Sequence, residues 1–270
     1  MSAQATRAFA GADGRYEDIV MNRTEHSIRL GIVAGLLLLI EGLCRTGAIP
    51  ASVMIAPSAM AAHAIEILRE GRFTHDIVTS FANIAVASVC AVGLGFAAGL
   101  AIHAMPGVRR ALEPLIASYY AVPTFAFYPV FIVLFGVGAL PIIAIATLLA
   151  IVSMITATMT GLDRIPQSFS KTARVMRLDR WQTVWHIKLP AALPHLFSGV
   201  RLAVSHAFIG VIASEFILSG SGIGYAISYA YNNFENADMY ALMLLVLVTV
   251  TLVNSVLNHV DRRFQALGRR

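Results

Sequence analysis

The chain has 270 residues, of which 57% are apolar and only 13% charged. Soluble domains carry about 25% charged residues, so this composition excludes a disordered chain, a nucleic-acid module and an ordinary soluble two-domain enzyme. The formal balance of +5 is modest, and where the charges fall says more than their sum.

An apolar stretch of about 18 or more residues can cross the roughly 30 Å hydrocarbon layer as a helix. Six runs are read this way, at 28–46, 77–104, 113–136, 139–160, 194–218 and 239–259. The first carries Glu41 and is marginal in length. It follows a polar leader, 1–27, with Asp13, Glu17, Asp18 and Glu25, which is long and acidic for the n-region of a cleavable signal. The run is therefore expected to be an anchor. A segment at 47–76 includes a periodic stretch, Ser58 to Arg69, expected to form a short helix outside the bilayer. The second and fourth runs are free of Asp, Glu, Lys and Arg from Ile77 to Met105 and from Leu140 to Gly161. Gly95 and Gly99 form a GxxxG pair in the second, the pattern of close helix packing. Pro114, Pro123 and Pro129 make the third a kinked or broken helix. Arg201, His206 and Glu215 lie on the fifth. The sixth leads into a tail at 261–270, and 77–260 is the expected transmembrane core.

Orientation follows from Lys and Arg in the connecting segments. Sixteen lie in the leader together with Arg29 just after it, the 105–112 turn, the 161–193 loop and the tail. Three (Arg45, Arg69, Arg72) lie on the other side, and Arg201 lies within a span. Both termini are thus expected on the cytoplasmic side. Cys44 and Cys90 give neither a disulfide framework nor metal spacing.

The 161–193 segment holds six of the basic residues, including both lysines, Lys171 and Lys188. Phe169, Ala173 and Met176 share a helical face, and Pro166 suits a first turn. Asp179 with Gln182 resembles a capping box that starts a second helix. Trp181, Val184, Trp185 and Leu189 give that helix an apolar face, and Pro190 is expected to end it. The residues alone leave two readings open: an interfacial pair on anionic lipid, or a docking element for a cytoplasmic partner.

Lys171-Thr172-Ala173, then Arg177, then Ile187-Lys188-Leu189-Pro190 lie at the spacing of the EAA loop of ABC importer permeases. That loop reads Glu-Ala-Ala, three residues, Gly, nine residues, Ile-x-Leu-Pro. Leu189-Pro-Ala-Ala-Leu-Pro194, Gly199-Val-Arg201-Leu, Ala213-Ser-Glu215 and Ser221-Gly-Ile-Gly-Tyr225 resemble the nitrate/sulfonate/taurine branch of that family. Leu112-Glu-Pro-Leu and Phe135-Gly-Val-Gly138 agree with it, and the resemblance covers roughly 57–262. The departures are Lys171 for the family's Glu, Thr172 for Ala and Arg177 for Gly. Glycine at that place would permit a tight break between the two short helices.

No Gly-x-x-x-x-Gly-Lys-Ser/Thr phosphate loop occurs: no glycine stands in the six positions before Lys171, and Leu189 follows Lys188. Gly220, Gly222 and Gly224 are read as a turn after the fifth span.

An ionisable group at mid-membrane costs about 2.5–3.5 kcal/mol on insertion scales, so it should face the bundle interior or a water-filled path. Arg201, His206 and Glu215 are the path candidates on that ground, each with the alternative of a charge satisfied by backbone or a neighbouring helix. Arg201 and Glu215 sit about 21 Å apart on similar faces at the usual helical rise, too far to pair. Tyr119, Tyr120, Phe125, Phe127, Tyr128 and Phe131 gather in the third run, as a gate for solute or as packing aromatics.

The resemblance implies an all-α polytopic membrane protein of about six transmembrane helices with a cytoplasmic coupling-helix loop, the type I ABC importer permease fold. It further implies the permease subunit of an ATP-driven importer for a small solute, in a bacterial inner membrane. Implied partners are a dimeric ATPase that binds ATP and Mg, a second permease subunit (homodimer or heterodimer), and an extracytoplasmic solute-binding protein. Lys171, Thr172, Ala173, Arg177, Ile187, Leu189 and Pro190 would couple to the ATPase. No catalytic or metal-ligating residue is expected in this chain. The alternative is an ion- or proton-coupled secondary transporter using Glu41, His206 or Glu215.

Overall fold

The computed structural model describes Ile28 and residues 31–267. The leader 1–27, Arg29, Leu30 and positions 268–270, with the charges assigned to them above, lie outside the described residues. The chain divides into two compact units, Met1–His63 and Ala64–Arg270.

In the first unit, helix α1 runs over 31–45. Glu41 on α1 accepts hydrogen bonds from Arg45 Nε (2.6 Å), the Ser58 hydroxyl (2.6 Å) and the Ser58 N–H (3.0 Å). Ser58 belongs to the first turn of α2 (Pro57–Glu70). Its N–H is one of the donors that a helix start leaves without an intrahelical partner, so Glu41 acts as a remote cap.

The second unit is built on four helices long and apolar enough to cross a membrane: α3 (Thr74–Ala104), α6 (Ala139–Asp163), α9 (Leu189–Leu218) and α11 (Asn236–Leu267). Between α3 and α6 come α4 (Pro106–Ser118) and α5 (Tyr128–Phe135), joined through two 3-10 turns. This pair bends by 91° and counts as one broken span at most. Two features account for the break. Pro123 cannot donate to a helical ladder, and Pro129 sits where a helix begins.

Among the described residues there are thus four spans, or five with the broken pair, rather than six. The described part of the first run, α1, is shorter than the roughly 20 residues that a crossing requires. Three further expectations change. Arg109 and Arg110 lie inside α4 and not in a turn, because Pro106 restarts a helix two residues after α3 ends. Pro190 opens α9 instead of closing the helix before it; at a first turn its missing N–H is no loss. The stretch read as a glycine turn also launches another helix, α10 (Ile223–Asn232).

Helix α6 packs against both α3 and α9, which also touch each other. Their shared core is rich in small residues: Ala87 and Ala91 from α3, Ala146 and Ala150 from α6, Ala203 and Ala207 from α9. Lipid tails are as apolar as leucine, so helices in a membrane gain by close approach more than by burial. A Cβ on Gly210 would lie 2.6 Å from the Ala146 Cα, and one on Gly99 would lie 2.7 Å from the Thr158 Cβ. The GxxxG pair therefore packs α3 on α6, as expected, and Gly210 does the same for α9.

Helix α10 ends in a Schellman arrangement. The Phe234 N–H donates to the Tyr231 carbonyl (3.2 Å) and the Glu235 N–H to the Ala230 carbonyl (2.8 Å). Phe234 takes the left-handed position (φ +60°) that glycine usually fills, and its side chain is 86% exposed. Phe234→Gly should therefore stabilise the detergent-solubilised chain by about 0.5–1 kcal/mol, the left-handed cost less the extra chain entropy of glycine. Thermal unfolding checks this, and a lower midpoint for the variant contradicts it.

Candidate functional site

The 163–190 loop is a hairpin of α7 (Gln167–Val175) and α8 (Arg180–Thr183). Helix α7 stops because the Leu178 N–H reaches back to the Ala173 carbonyl (3.0 Å) while Arg177 turns to φ +50°. A non-glycine residue gives up about 1–2 kcal/mol there. Arg177 thus makes the tight break that a glycine would permit, at an energetic cost and with an added charge. The second arm starts as the sequence suggests. The Asp179 N–H donates to the Gln182 side-chain oxygen (3.1 Å), the reciprocal arm of a capping box. From Arg180 the chain stays helical through one π-helical turn (Val184–Lys188) straight into α9.

The expected Phe169–Ala173–Met176 face is split. Ala173 is buried at 4% exposure, whereas Phe169 and Met176 point outward. Val175 and Met176 are 84% and 62% exposed, beside exposed Lys171 and Arg177. Ile187 and Leu189 are half-buried, Leu189 against the main core, and Pro190 is exposed. Thr172 lies on α7.

The base of this loop is pinned on both sides. Asp163, the last residue of α6, takes a two-pronged pair from Arg109 of α4 (2.8 and 2.6 Å), with His103 of α3 at 3.4 Å. On the other side, α9 and α11 are joined by an antiparallel polar ladder. Ser198 donates to Asp261 (3.1 Å), Arg201 donates to Asn258 and pairs with Asp261 (3.4 Å), and Ser205 donates to Asn254 (2.8 Å).

Glu215, at the far end of α9, is wholly buried. Its Oε2 accepts from the Ser80 hydroxyl (2.5 Å) and the Gly224 N–H (3.2 Å), and its Oε1 accepts from the Asn83 amide (3.2 Å). Ser80 in turn accepts the Ile223 N–H (2.7 Å), and Asp76 accepts the Gly222 N–H (2.8 Å). Three successive amides at the start of α10 are therefore taken by three side chains from α3 and α9. These are donors that a helix start leaves unpaired and that lipid cannot satisfy. Gly222 holds φ +99°, and a Cβ there would run into the Glu215 carboxyl; one on Gly224 would lie 2.8 Å from the Phe216 backbone nitrogen. The Ser-Gly-Ile-Gly stretch is thus shaped to let a buried carboxyl touch a helix start.

His206 lies midway along α9. Its Nδ1 is 2.9 Å from the Ser153 hydroxyl of α6 and 2.9 Å from the Leu202 carbonyl, and its ring stacks on Tyr120 with centroids 5.4 Å apart. Arg201, His206 and Glu215 therefore do not form one cluster. Each turns to different neighbours: Arg201 to α11, His206 to α6 and the broken pair, Glu215 to α3 and α10. Sequence reasoning missed those neighbours. Two sets carry a readable sign, Asp76/Ser80/Asn83 and Asn254/Asn258/Asp261, polar residues spaced by four and three along apolar helices. Among the described residues no group of three His, Cys, Asp or Glu is placed to hold a metal ion.

A family model described as "Binding-protein-dependent transport system inner membrane component" matches residues 91–266. The chain is similar to the nitrate import permease protein NrtB of Leptolyngbya laminosa, 28% identical over 188 residues, covering 70% of this chain and 67% of the relative. It is similar also to the taurine transport system permease protein TauC of Escherichia coli (strain K12), 26% identical over 187 residues, covering 69% and 68%. In fold it resembles a chain of the MetNI methionine ABC transporter in an inward-facing conformation, with a TM-score of 0.61 at 19% identity, covering 70% of this chain and 94% of that one.

Removing the Glu215 carboxyl should be far costlier than neutralising it. Glu215→Ala leaves Ser80, Asn83 and Gly224 without their acceptor, at about 1–3 kcal/mol for each buried unpaired group. Glu215→Gln keeps one carbonyl oxygen and should fall between. Unfolding in detergent ranks the three, and an alanine variant as stable as the parent contradicts the capping role.

Proposed function

The chain belongs to the family of binding-protein-dependent transport system inner membrane components, and on that premise we propose that it passes a small solute inward under the drive of a separate ATPase. It is a multi-pass permease component of an ABC importer. Two copies, or this chain with a related one, enclose the path. A dimeric ATPase, which supplies the ATP and Mg sites, docks on the 163–190 loops, and a solute-binding protein delivers cargo at the opposite end. The sixteen basic residues counted from the sequence support a cytoplasmic placement of both termini and the loop. Nitrate and taurine are the solutes in the relatives' names, and the cargo belongs to the same class of small anions or other small organic nutrients.

One observation carries this reading: the unbroken helical course from Arg180 through the π-helical turn into α9. A docked ATPase that shifts the loop moves α9 as a rod, and with it His206 in the middle of the bundle and Glu215 at its far end. Arg109 and Asp163 tie the other arm to α4, so the broken pair feels the same displacement. This is the small sliding of packed helices by which alternating access is reached. The loop residues then divide their work. Lys171 and Arg177, with Val175 and Met176, present the docking face. Thr172 and Ala173 belong to the arm behind it, and Ile187, Leu189 and Pro190 carry the helix on into α9. Arg201 anchors that rod to α11.

Val175→Asp with Met176→Asp places two charges on exposed apolar positions, so the chain should still fold but lose its ATPase on co-purification. Arg177→Gly should raise stability, since it relieves the left-handed strain, and weaken ATPase co-purification far less than the two aspartates do. Solute uptake into liposomes by the permease without any ATPase is the result that contradicts the proposal; it would mark a secondary transporter.

A further inference from the structure

The break between α4 and α5 puts irregular backbone deep in the bundle. The 3-10 turns span Tyr119–Ala121 and Thr124–Phe127, and they sit level with the middle of two spans. The Tyr119 hydroxyl donates to the Leu148 carbonyl (3.0 Å), and the Tyr120 hydroxyl lies 2.8 Å from Ser153 Oγ. Both partners lie in the interior of α6. Non-helical backbone at that depth is tolerated only where protein buries it or where it lines a water-filled cavity. Here the break is not fully covered: Tyr120 is 51% exposed and His206 half-buried.

The chemistry at this level is specific. The His206 Nδ1 lies 2.9 Å from the Leu202 carbonyl, which can only accept, and 2.9 Å from the Ser153 hydroxyl; the tautomer with the proton on Nδ1 makes the carbonyl contact a hydrogen bond. In a neutral imidazole that leaves Nε2 as an acceptor. Beside it stand the Tyr120 hydroxyl, which can donate or accept, and a stacked pair of flat rings. On the broken pair, Arg109 is held by Asp163 and Arg110 donates to the Pro106 carbonyl, ten or more positions before Tyr120. Arg201 is the only Lys or Arg on α3, α6 and α9, and it is engaged with Asn258 and Asp261.

Resting on the permease reading, we propose that the Tyr120–Ser153–His206 cluster is the solute-contact site of the path. It takes an uncharged or zwitterionic organic solute, with a hydrogen-bond donor for the His206 Nε2 and a flat or apolar face for Tyr120. A bare inorganic oxyanion, which offers acceptors only and needs a cation, does not fit.

Tyr120→Cys in a chain with Cys44 and Cys90 replaced by alanine tests this, reconstituted with its ATPase in liposomes. The probes are two water-soluble methanethiosulfonates, one carrying a sulfonate and one a trimethylammonium group, and lipid-soluble N-ethylmaleimide. Both charged reagents should label the introduced thiol at comparable rates, and trapping with ATP and vanadate should change those rates. Labelling by the maleimide alone overturns the site. So does a preference for the sulfonate reagent of about tenfold or more, the focusing expected of a cationic path. If the cysteine variant fails to fold, diethyl pyrocarbonate on the unsubstituted complex answers the same question. His206 should be carbethoxylated at Nε2, and an unmodified His206 beside a modified, exposed His186 overturns the proposal. Lipid-only labelling in a complex that hydrolyses ATP removes the site and leaves the permease reading standing. Absence of any bound ATPase strikes the permease reading itself.

Discussion

A carboxyl buried at the meeting of three helices holds the far end of this bundle together. A short helix such as α10 cannot begin in or beside a bilayer unless its first amides find acceptors, and those acceptors come from outside it. Asp76, Ser80 and Glu215 supply them, from α3 and α9. The arrangement is mutual. The Gly224 amide, Ser80 and Asn83 give the Glu215 carboxyl the hydrogen bonds that a buried polar group requires. The local positive end of the α10 dipole adds to them. Glycine at 222 and 224 is the steric condition for this contact, because any side chain there meets the carboxyl or the α9 backbone.

The opposite end is fastened by different means. A three-rung polar ladder joins α9 to α11, and the Arg109–Asp163 pair joins α6 to α4. Interhelical hydrogen bonds in membranes are worth on average only about 0.6 kcal/mol each, so the ladder sets register more than it sets stability. Between these fastenings Gly199 and Gly210 let α9 approach Ala157 and Ala146 of α6 closely. A helix tied by polar groups at its ends and packed by small residues along its length transmits a push without losing its place.

Much of this was legible from composition and period. Five of the six apolar runs, the proline break, the GxxxG contact and the two-armed loop are local properties, and the structure has them. What stayed hidden depended on distant partners. Helix α10 is too short to show in a hydropathy pattern, and Asp76 and Ser80, which fix its start, lie 146 and 143 positions from the amides they hold. The turn at Arg177 follows a backbone conformation that the residue itself disfavours, so its own identity hides what the φ of +50° and the Ala173–Leu178 hydrogen bond show. Pro190 is ambiguous locally, since proline both ends helices and begins them; the continuous helix through Lys188 decides the matter. Arg201, His206 and Glu215 could be singled out as costly in a membrane, but which neighbour offset that cost required the packing of α3, α6 and α11 to be known.

Amide hydrogen exchange at the start of α10 tests the central claim most directly. If Asp76, Ser80 and Glu215 hold the amides of Gly222, Ile223 and Gly224, these should exchange about as slowly as the buried centre of α9. Exchange at the rate of an open turn, while α3 and α9 remain protected, would show that the buried carboxyl does not organise this end of the bundle.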